Sequence, residues 1–196
     1  MSRRKGKARK GDGDGDGDGD GDRALSRVLD GEMIFAQSVL HRTVYVNITH
    51  VGNGLERNLK KSLEQMCEGR CIEEGYVKPQ SIKLLTYSSG VAYAENVRFD
   101  VAFECKICYP TEGMRLQCFA KNITKCGIRA EMYEDSSLDV STPMMIFIAR
   151  DHHYNDNNIN DIVVGQKIVV RVLGCRFELN DTFISVIAEY IPQGEG

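Results

Sequence analysis

From Val97 to Cys108 the chain alternates without a break. Val97, Phe99, Val101, Phe103, Cys105 and Ile107 fall on one side, and Arg98, Asp100, Ala102, Glu104, Lys106 and Cys108 on the other. A period of two sustained over that length specifies a long strand with one buried face. Tyr109-Pro110-Thr111-Glu112-Gly113 then interrupts it with two breakers. A second alternation starts at once, with Met114, Leu116, Cys118 and Ala120 inward and Arg115, Gln117, Phe119 and Lys121 outward. The break reads as a junction between two small β-rich units, and the rest of the chain arranges itself on either side.

Upstream, ordered structure is expected from near Arg42, where Val44, Val46 and Ile48 alternate with polar residues. Gly52-Asn53-Gly54 ends that strand. Leu55, Leu59, Leu63 and Met66 then recur at helical spacing, with Glu56, Arg57, Lys60, Lys61 and Glu64 off the stripe. Asn53 is the expected N-cap and Glu68-Gly69 the closing signal. The stripe reads as core packing, not as a partner-binding groove. A weak strand over Ser81–Tyr87, a turn at Ser88-Ser89-Gly90 and a short strand at Val91–Ala94 lead into the long one. The unit from 41 to 110 is therefore an α+β module of the order β-α-β-β.

Downstream, residues 111–196 carry five short strands: Met114–Asn122, Ile128–Tyr133, Met144–Arg150, Gln166–Arg176 and Phe183–Tyr190. Polar loops at Glu134–Pro143 and Asp151–Asp161 separate them. With no helix to cover an open sheet, a small closed barrel of the five-stranded OB type is the expected solution.

The N-terminal extension, residues 1–40, is expected to be disordered or weakly ordered. It opens with the basic run SRRKGKARK and continues as an Asp-Gly repeat, neither of which can bury apolar area. The basic run suits a nuclear localisation signal, a nucleic-acid contact or a plain solvated tail. A calcium loop starting at Asp12 fails because Arg23 stands where a bidentate Glu is needed. No stretch approaches the ~20 apolar residues of a membrane span, and no signal peptide is evident. An intracellular protein is expected, and its seven cysteines are then thiols. The Asn-x-Thr triplets at Asn47, Asn122 and Asn180 are in that case coincidences.

Cys105-x-x-Cys108 with Cys67-x-x-x-Cys71 has the count for a zinc site. Cys105 and Cys108, however, sit on opposite faces of the predicted strand, and buried thiols acting as small hydrophobes are the simpler reading. The pair His152-His153, with Asp151 and Asp156 nearby, reads as a solvated loop. No Walker loop, glycine fingerprint or nucleophile triad is present, so no cofactor and no catalytic residue is expected.

The helix ending LKKSLEQMCEGRC, the segment EEGYV, the junction VRFDVAFECKICYPTEGMRLQCFAKNITKCGI and the closing VRVLGCRFELNDTFISVIAEYI together resemble a known family. It comprises the seventh subunit of eukaryotic RNA polymerase II and the archaeal counterpart of that subunit. The resemblance covers about Arg42 to Ile191. It departs from the pattern at Glu112-Gly113-Met114, where the family has Gly-Glu, and in its N-terminal extension. The short, divergent form resembles a polymerase subunit of a large DNA virus.

The resemblance implies a non-catalytic stalk subunit of a multisubunit RNA polymerase. It implies a tip domain that docks on polymerase core subunits, an S1-type OB barrel that contacts nascent single-stranded RNA, and a helical partner stalk subunit. It also implies location in the nucleus or, for a viral protein, in the virion or host cytoplasm. Two other classes remain open to such a chain: a stand-alone S1/OB RNA-binding factor in translation or RNA decay, against which a tip domain continuous with the barrel argues, and a metal-dependent enzyme using the cysteines or histidines, which metal analysis of the purified protein would discriminate.

OB barrels hold single strands by stacking bases on exposed aromatics beside positive charge. The outward positions that fit are Arg115, Phe119 and Lys121 on the first barrel strand, Lys125 in the following turn, and Arg129 and Tyr133 on the second strand. Phe147 and Arg150 continue the set on the third. Phe119, an apolar ring on a charged face, is the expected stacking residue; the competing reading packs it against the first module near Tyr109. The barrel is not notably basic, so modest, salt-sensitive affinity is expected.

Overall fold

A computed structural model describes residues 28–29, 33–132, 142–152, 159 and 161–192. The tail 1–22, Tyr133, His153 and Asp156 lie outside the described residues. The described chain folds into two sheets of six strands each, with one α-helix.

The alternating segment forms strand β7, Asn96–Cys108. It pairs along its whole length, antiparallel, with β2, Phe35–Asn47. That strand starts at Phe35, not near Arg42. Its first residues are held because β7 is equally long and offers a partner as far as Phe35↔Cys108. Residues 35–40 therefore belong to the sheet and not to a weakly ordered extension. On the other side of β7 lie β4 (Gly75–Val77), β5 (Lys83–Tyr87) and β6 (Val91–Tyr93), with β3 (Cys71–Ile72) outside β4.

Helix α1, Leu55–Cys67, covers one face of this sheet. Its N-cap is Gly54, in the left-handed region at φ +98°, and no side chain caps it. Asn53 is thus one position too early, because the turn requires a backbone conformation that glycine adopts at little cost. The buried stripe is Leu59, Leu63 and Cys67, with Leu55 at its edge, while Met66 is exposed. A step of four at the end keeps Cys67 over the sheet and rotates Met66 off it. Leu59 and Leu63 pack against Val44, Phe99, Val101, Phe103 and Cys105, the inward half of the alternation.

The second sheet is closed. Strands β8 (Arg115–Ile123), β9 (Gly127–Glu131), β10 (Met144–Ala149), β12 (Ile184–Ile191) and β11 (Lys167–Arg176) follow one another round a barrel. β8 pairs with both β11 and β9 to shut it. The single parallel pairing within the ring is β10 with β12, so the barrel is OB-like. A two-residue strand β1, Val28–Leu29, adds in parallel outside β8. Leu116, Cys118, Ala120, Ile128, Ala130, Ile146, Ile148, Ile168, Val170, Val186 and Ala188 fill the interior at 1 % exposure or less. Two crossings are tight enough to require glycine: a Cβ on Gly127 would collide with the Ile148 carbonyl, and one on Gly75 would come within 2.5 Å of the Cys108 carbonyl.

The two units are joined by more than the covalent link. Cys71, Tyr76 and Cys108 belong to the same buried cluster as the barrel core. Cys71 N donates to Asp181 O at 2.7 Å, and Asn180 N donates to Cys71 O at 2.8 Å. The Cys175 thiol donates to Pro110 O at 3.2 Å, and Tyr109 meets Phe177 edge-on with centroids 5.9 Å apart. Ala102 and Cys108, on the polar side of the alternation, are buried as well. Cys108 is covered because its end of β7 runs against the barrel.

Candidate nucleic-acid interface

The outer surface of the barrel carries a groove of about 730 Å³ over β9, β10 and β12. Pairing register builds its floor. Arg129 on β9 stands opposite Phe147 on β10, and Phe147 opposite Ile187 on β12. Gly174 on β11 faces Ile187 in turn and leaves the row open at that end. Thr124 and Cys126, in the turn between β8 and β9, form one wall; Arg176 and Ser185 stand on the opposite side. Phe147 is 47 % and Ile187 52 % exposed, so two large apolar side chains lie open to solvent between polar walls. The face of the second and third strands, with its adjoining loops, is where OB barrels take single-stranded nucleic acid.

The charges are less available than the sequence suggests. Arg129 Nη2 is 2.8 Å from Glu131 Oε1, and that carboxylate is only 12 % exposed. The Arg129 Nε is buried with no hydrogen-bond partner. Arg176 Nη2 is 3.0 Å from Glu178 Oε1 at an exposed site. Any anion entering the groove would compete with carboxylates already beside both guanidiniums.

Not all the predicted residues share this groove. Arg129 and Phe147 line it together. Lys125 is exposed in the β8–β9 turn, and half-buried Arg150 reaches that turn through its backbone, N to Cys126 O at 3.2 Å. Phe119 does not face the groove: it is half-buried one row away, opposite Lys167 on one side and Glu131 on the other. Nor does Tyr109 take it as a partner, since Tyr109 rests on Phe177. Lys121 is the extra residue of a bulge between Ala120 and Asn122, so Asn122 opposes Arg129. A bulge breaks strict alternation, and period-two counting carries through it unaware. Arg115 stands at the far end of β8, opposite Arg171. Ile187 was missed; the available signal was a bulky apolar residue between Ser185 and Glu189 on an otherwise polar outward side.

The four cysteines with zinc-like spacing divide between two cores. Cys67, the last residue of α1, and Cys105 lie in the core between α1 and the sheet, while Cys71 and Cys108 lie in the cluster shared with the barrel. Burial pushes the thiols of Cys71 and Cys105 up to about 11 and that of Cys108 up to about 12, which opposes the thiolate a metal requires. Among the described residues, no three His, Cys, Asp or Glu side chains converge on a point. Likewise, no described helix is long and apolar enough to cross a membrane.

Fold and groove together define a class: a β-rich chain in which a helix-covered sheet runs into a five-stranded OB-like barrel with an open apolar groove. No family model matches the chain. It is similar to a protein of Acanthamoeba polyphaga mimivirus that carries the provisional name of a DNA-directed RNA polymerase subunit. The two are 22 % identical over 176 residues, a span covering 82 % of this chain and 83 % of the relative.

Proposed function

We propose that this chain is a non-catalytic subunit of a multisubunit DNA-directed RNA polymerase. The observation that carries the reading is the extent of the viral match. A match over 82 % of the chain cannot be confined to the barrel or to the helix-covered sheet, so both units take part in it. A stand-alone OB factor needs only the barrel. The finer assignment is a stalk subunit. In it the N-terminal unit is the tip domain that docks on core subunits, a helical stalk subunit is the neighbour, and the barrel contacts nascent single-stranded RNA. The groove supports that last role through the open ring of Phe147 beside Arg129, with Lys125 and Arg150 near its end. Base stacking on Phe147 supplies affinity, and the cations track phosphates.

Affinity purification of the tagged full-length chain tests assembly: the large polymerase subunits co-purify in constant ratio to it. Their absence from a preparation that contains active polymerase would refute the assignment. For RNA, titration of a single-stranded oligonucleotide against the purified chain gives binding that weakens as salt rises, and a flat response refutes the barrel's role.

A further inference from the structure

Among the described residues β2 has a neighbour on one side only. Ile48 N donates to Glu95 O at 3.0 Å and so extends the β2–β7 register by one bonded pair. Bonded and non-bonded pairs alternate along an antiparallel ladder. The even-numbered residues from Ala36 to Val46 therefore bond to β7. The odd-numbered ones, among them Gln37, Val39, His41, Thr43 and Tyr45, turn both N–H and C=O away from it. Consistent with this, the His41 carbonyl accepts from the Arg42 side chain instead, at 2.9 Å. Among the described residues no strand lies on that side.

Natural proteins blunt such edges with lysine, proline, bulges or short length. β2 has none of these. It runs 13 residues without a register shift, lacks Lys and Pro, and the guanidinium of its one arginine is engaged by Glu74. Beside the edge runs a groove of about 350 Å³ between β2 and α1, bounded by Val46, Asn58, Lys61, Ser62 and Gln65, with no residue of β7 in its lining. On the opposite face Val39 and Tyr45 are 55 % and 53 % exposed, and Tyr45 lies against Tyr93 at 5.9 Å between centroids.

We infer that the free edge of β2 is a docking site for an extended segment of another protein, added as a further strand of the sheet. The row of outward backbone donors and acceptors, open except where the Arg42 side chain holds the His41 carbonyl, selects an extended backbone over a helix. The two faces set the side-chain pattern. Residues over the α1 groove meet Lys61, Ser62 and Gln65, which suit carboxylates; the alternate residues meet Val39 and Tyr45, which suit β-branched or aromatic side chains. The chain's own N-terminal repeat is a poor occupant, because it alternates Gly and Asp, residues that sheets avoid. The site is independent of what the barrel binds.

The test uses the purified full-length chain and a short fluorescent peptide alternating valine and glutamate. Saturable binding is expected, with slowed amide exchange at Val39, His41 and Thr43. Proline at His41 removes one outward N–H and leaves the bonds to β7 in place. His41→Pro is therefore expected to weaken the peptide by ~10-fold or more at unchanged melting temperature. Should that variant lose stability, Val39→Lys, which leaves the backbone intact, carries the comparison. Absence of saturable binding, or equal binding by every variant, overturns the proposal. So does a dimer of the chain alone that His41→Pro dissolves, since the occupant would then be a second copy. Failure here is separate from failure of polymerase co-purification, because each is read in its own experiment.

Discussion

Each of the five barrel strands has a neighbour on both sides, whereas among the described residues β2 has one. The two units use the same material, strands that alternate apolar and polar, yet they solve the edge problem differently. The barrel closes through β8, whose two ends pair with different strands, and so leaves no edge strand among the described strands of its ring. The N-terminal sheet covers one face with α1 and leaves to solvent an edge and the part of the opposite face that carries Val39, Tyr45 and Tyr93. A closed barrel can offer a partner only side chains; an open sheet offers its backbone as well. The groove at Phe147 and the edge at β2 are thus different kinds of surface and should respond to different substitutions.

The largest effect separates the units by stability. Leu63 is fully buried between α1 and the sheet, so Leu63→Ala should cost about 2–5 kcal/mol in denaturant unfolding. Because Cys71, Tyr76 and Cys108 are shared with the barrel core, the loss should appear in one cooperative transition reported alike by probes in both units. Two separated waves would show that the barrel stands alone.

Next comes RNA. Phe147→Ala should weaken single-strand binding by ~1–3 kcal/mol without changing the melting temperature. Phe119→Ala should do less to RNA and more to stability, since that ring is half-buried away from the groove. The reverse ranking would return the interface to β8.

A smaller effect is read by pH. Burial raises the thiol of Cys118, inside the barrel, from 9.0 to about 12, and that of Cys105, under α1, to about 11. A raised thiol pKa means that the folded state holds a proton the unfolded state has released. Stability is then complete below pH 9 and is lost as pH climbs through the folded values. Cys118→Ala should flatten this alkaline fall more than Cys105→Ala does, and a melting temperature that stays level from neutral pH to beyond 10, an upper bound of about one unit past the unfolded thiol, would contradict the burial.

The least is expected from Lys83, whose ion pair with Glu104 at 3.3 Å is largely exposed. Lys83→Ala should change unfolding free energy by about 0–1 kcal/mol. A larger loss would mean that β5 secures β7 through more than its backbone.

Much of the fold was legible because it rests on period and breakers. The β7 alternation and the five barrel segments appear as strands near their predicted places, and the interruption at Pro110 and Gly113 separates β7 from β8. What escaped was set by partners distant in sequence. β2 extends back to Phe35 only because β7 is long enough to meet it. Cys67 replaced Met66 because the helix sits on the sheet at one rotation and no other. The candidate site was less legible still. Outward positions can be counted along one strand, but which of them become neighbours depends on register across three. The bulge at Lys121 follows from that register, whereas the Arg129–Glu131 pair joins two same-side residues of one strand. Phe147 and Arg129 can each be counted as outward on their own strand, while Ile187 lies some 40 residues beyond Phe147 and becomes its neighbour only through the parallel pairing of β10 with β12, a crossover of the long-connection kind.

The hydrogen bonds that tie Cys71 to Asn180 and Asp181 also have a mechanical meaning. β7 enters the barrel unit through Pro110, and a single covalent link of that kind would act as a swivel. A second attachment, made by a different segment, converts the swivel into a braced joint that resists both bending and twisting. The paired ribbon of β2 and β7, roughly 40 Å long at ~3.3 Å per residue, then serves as a handle. Whatever grips it fixes the direction in which the barrel groove points.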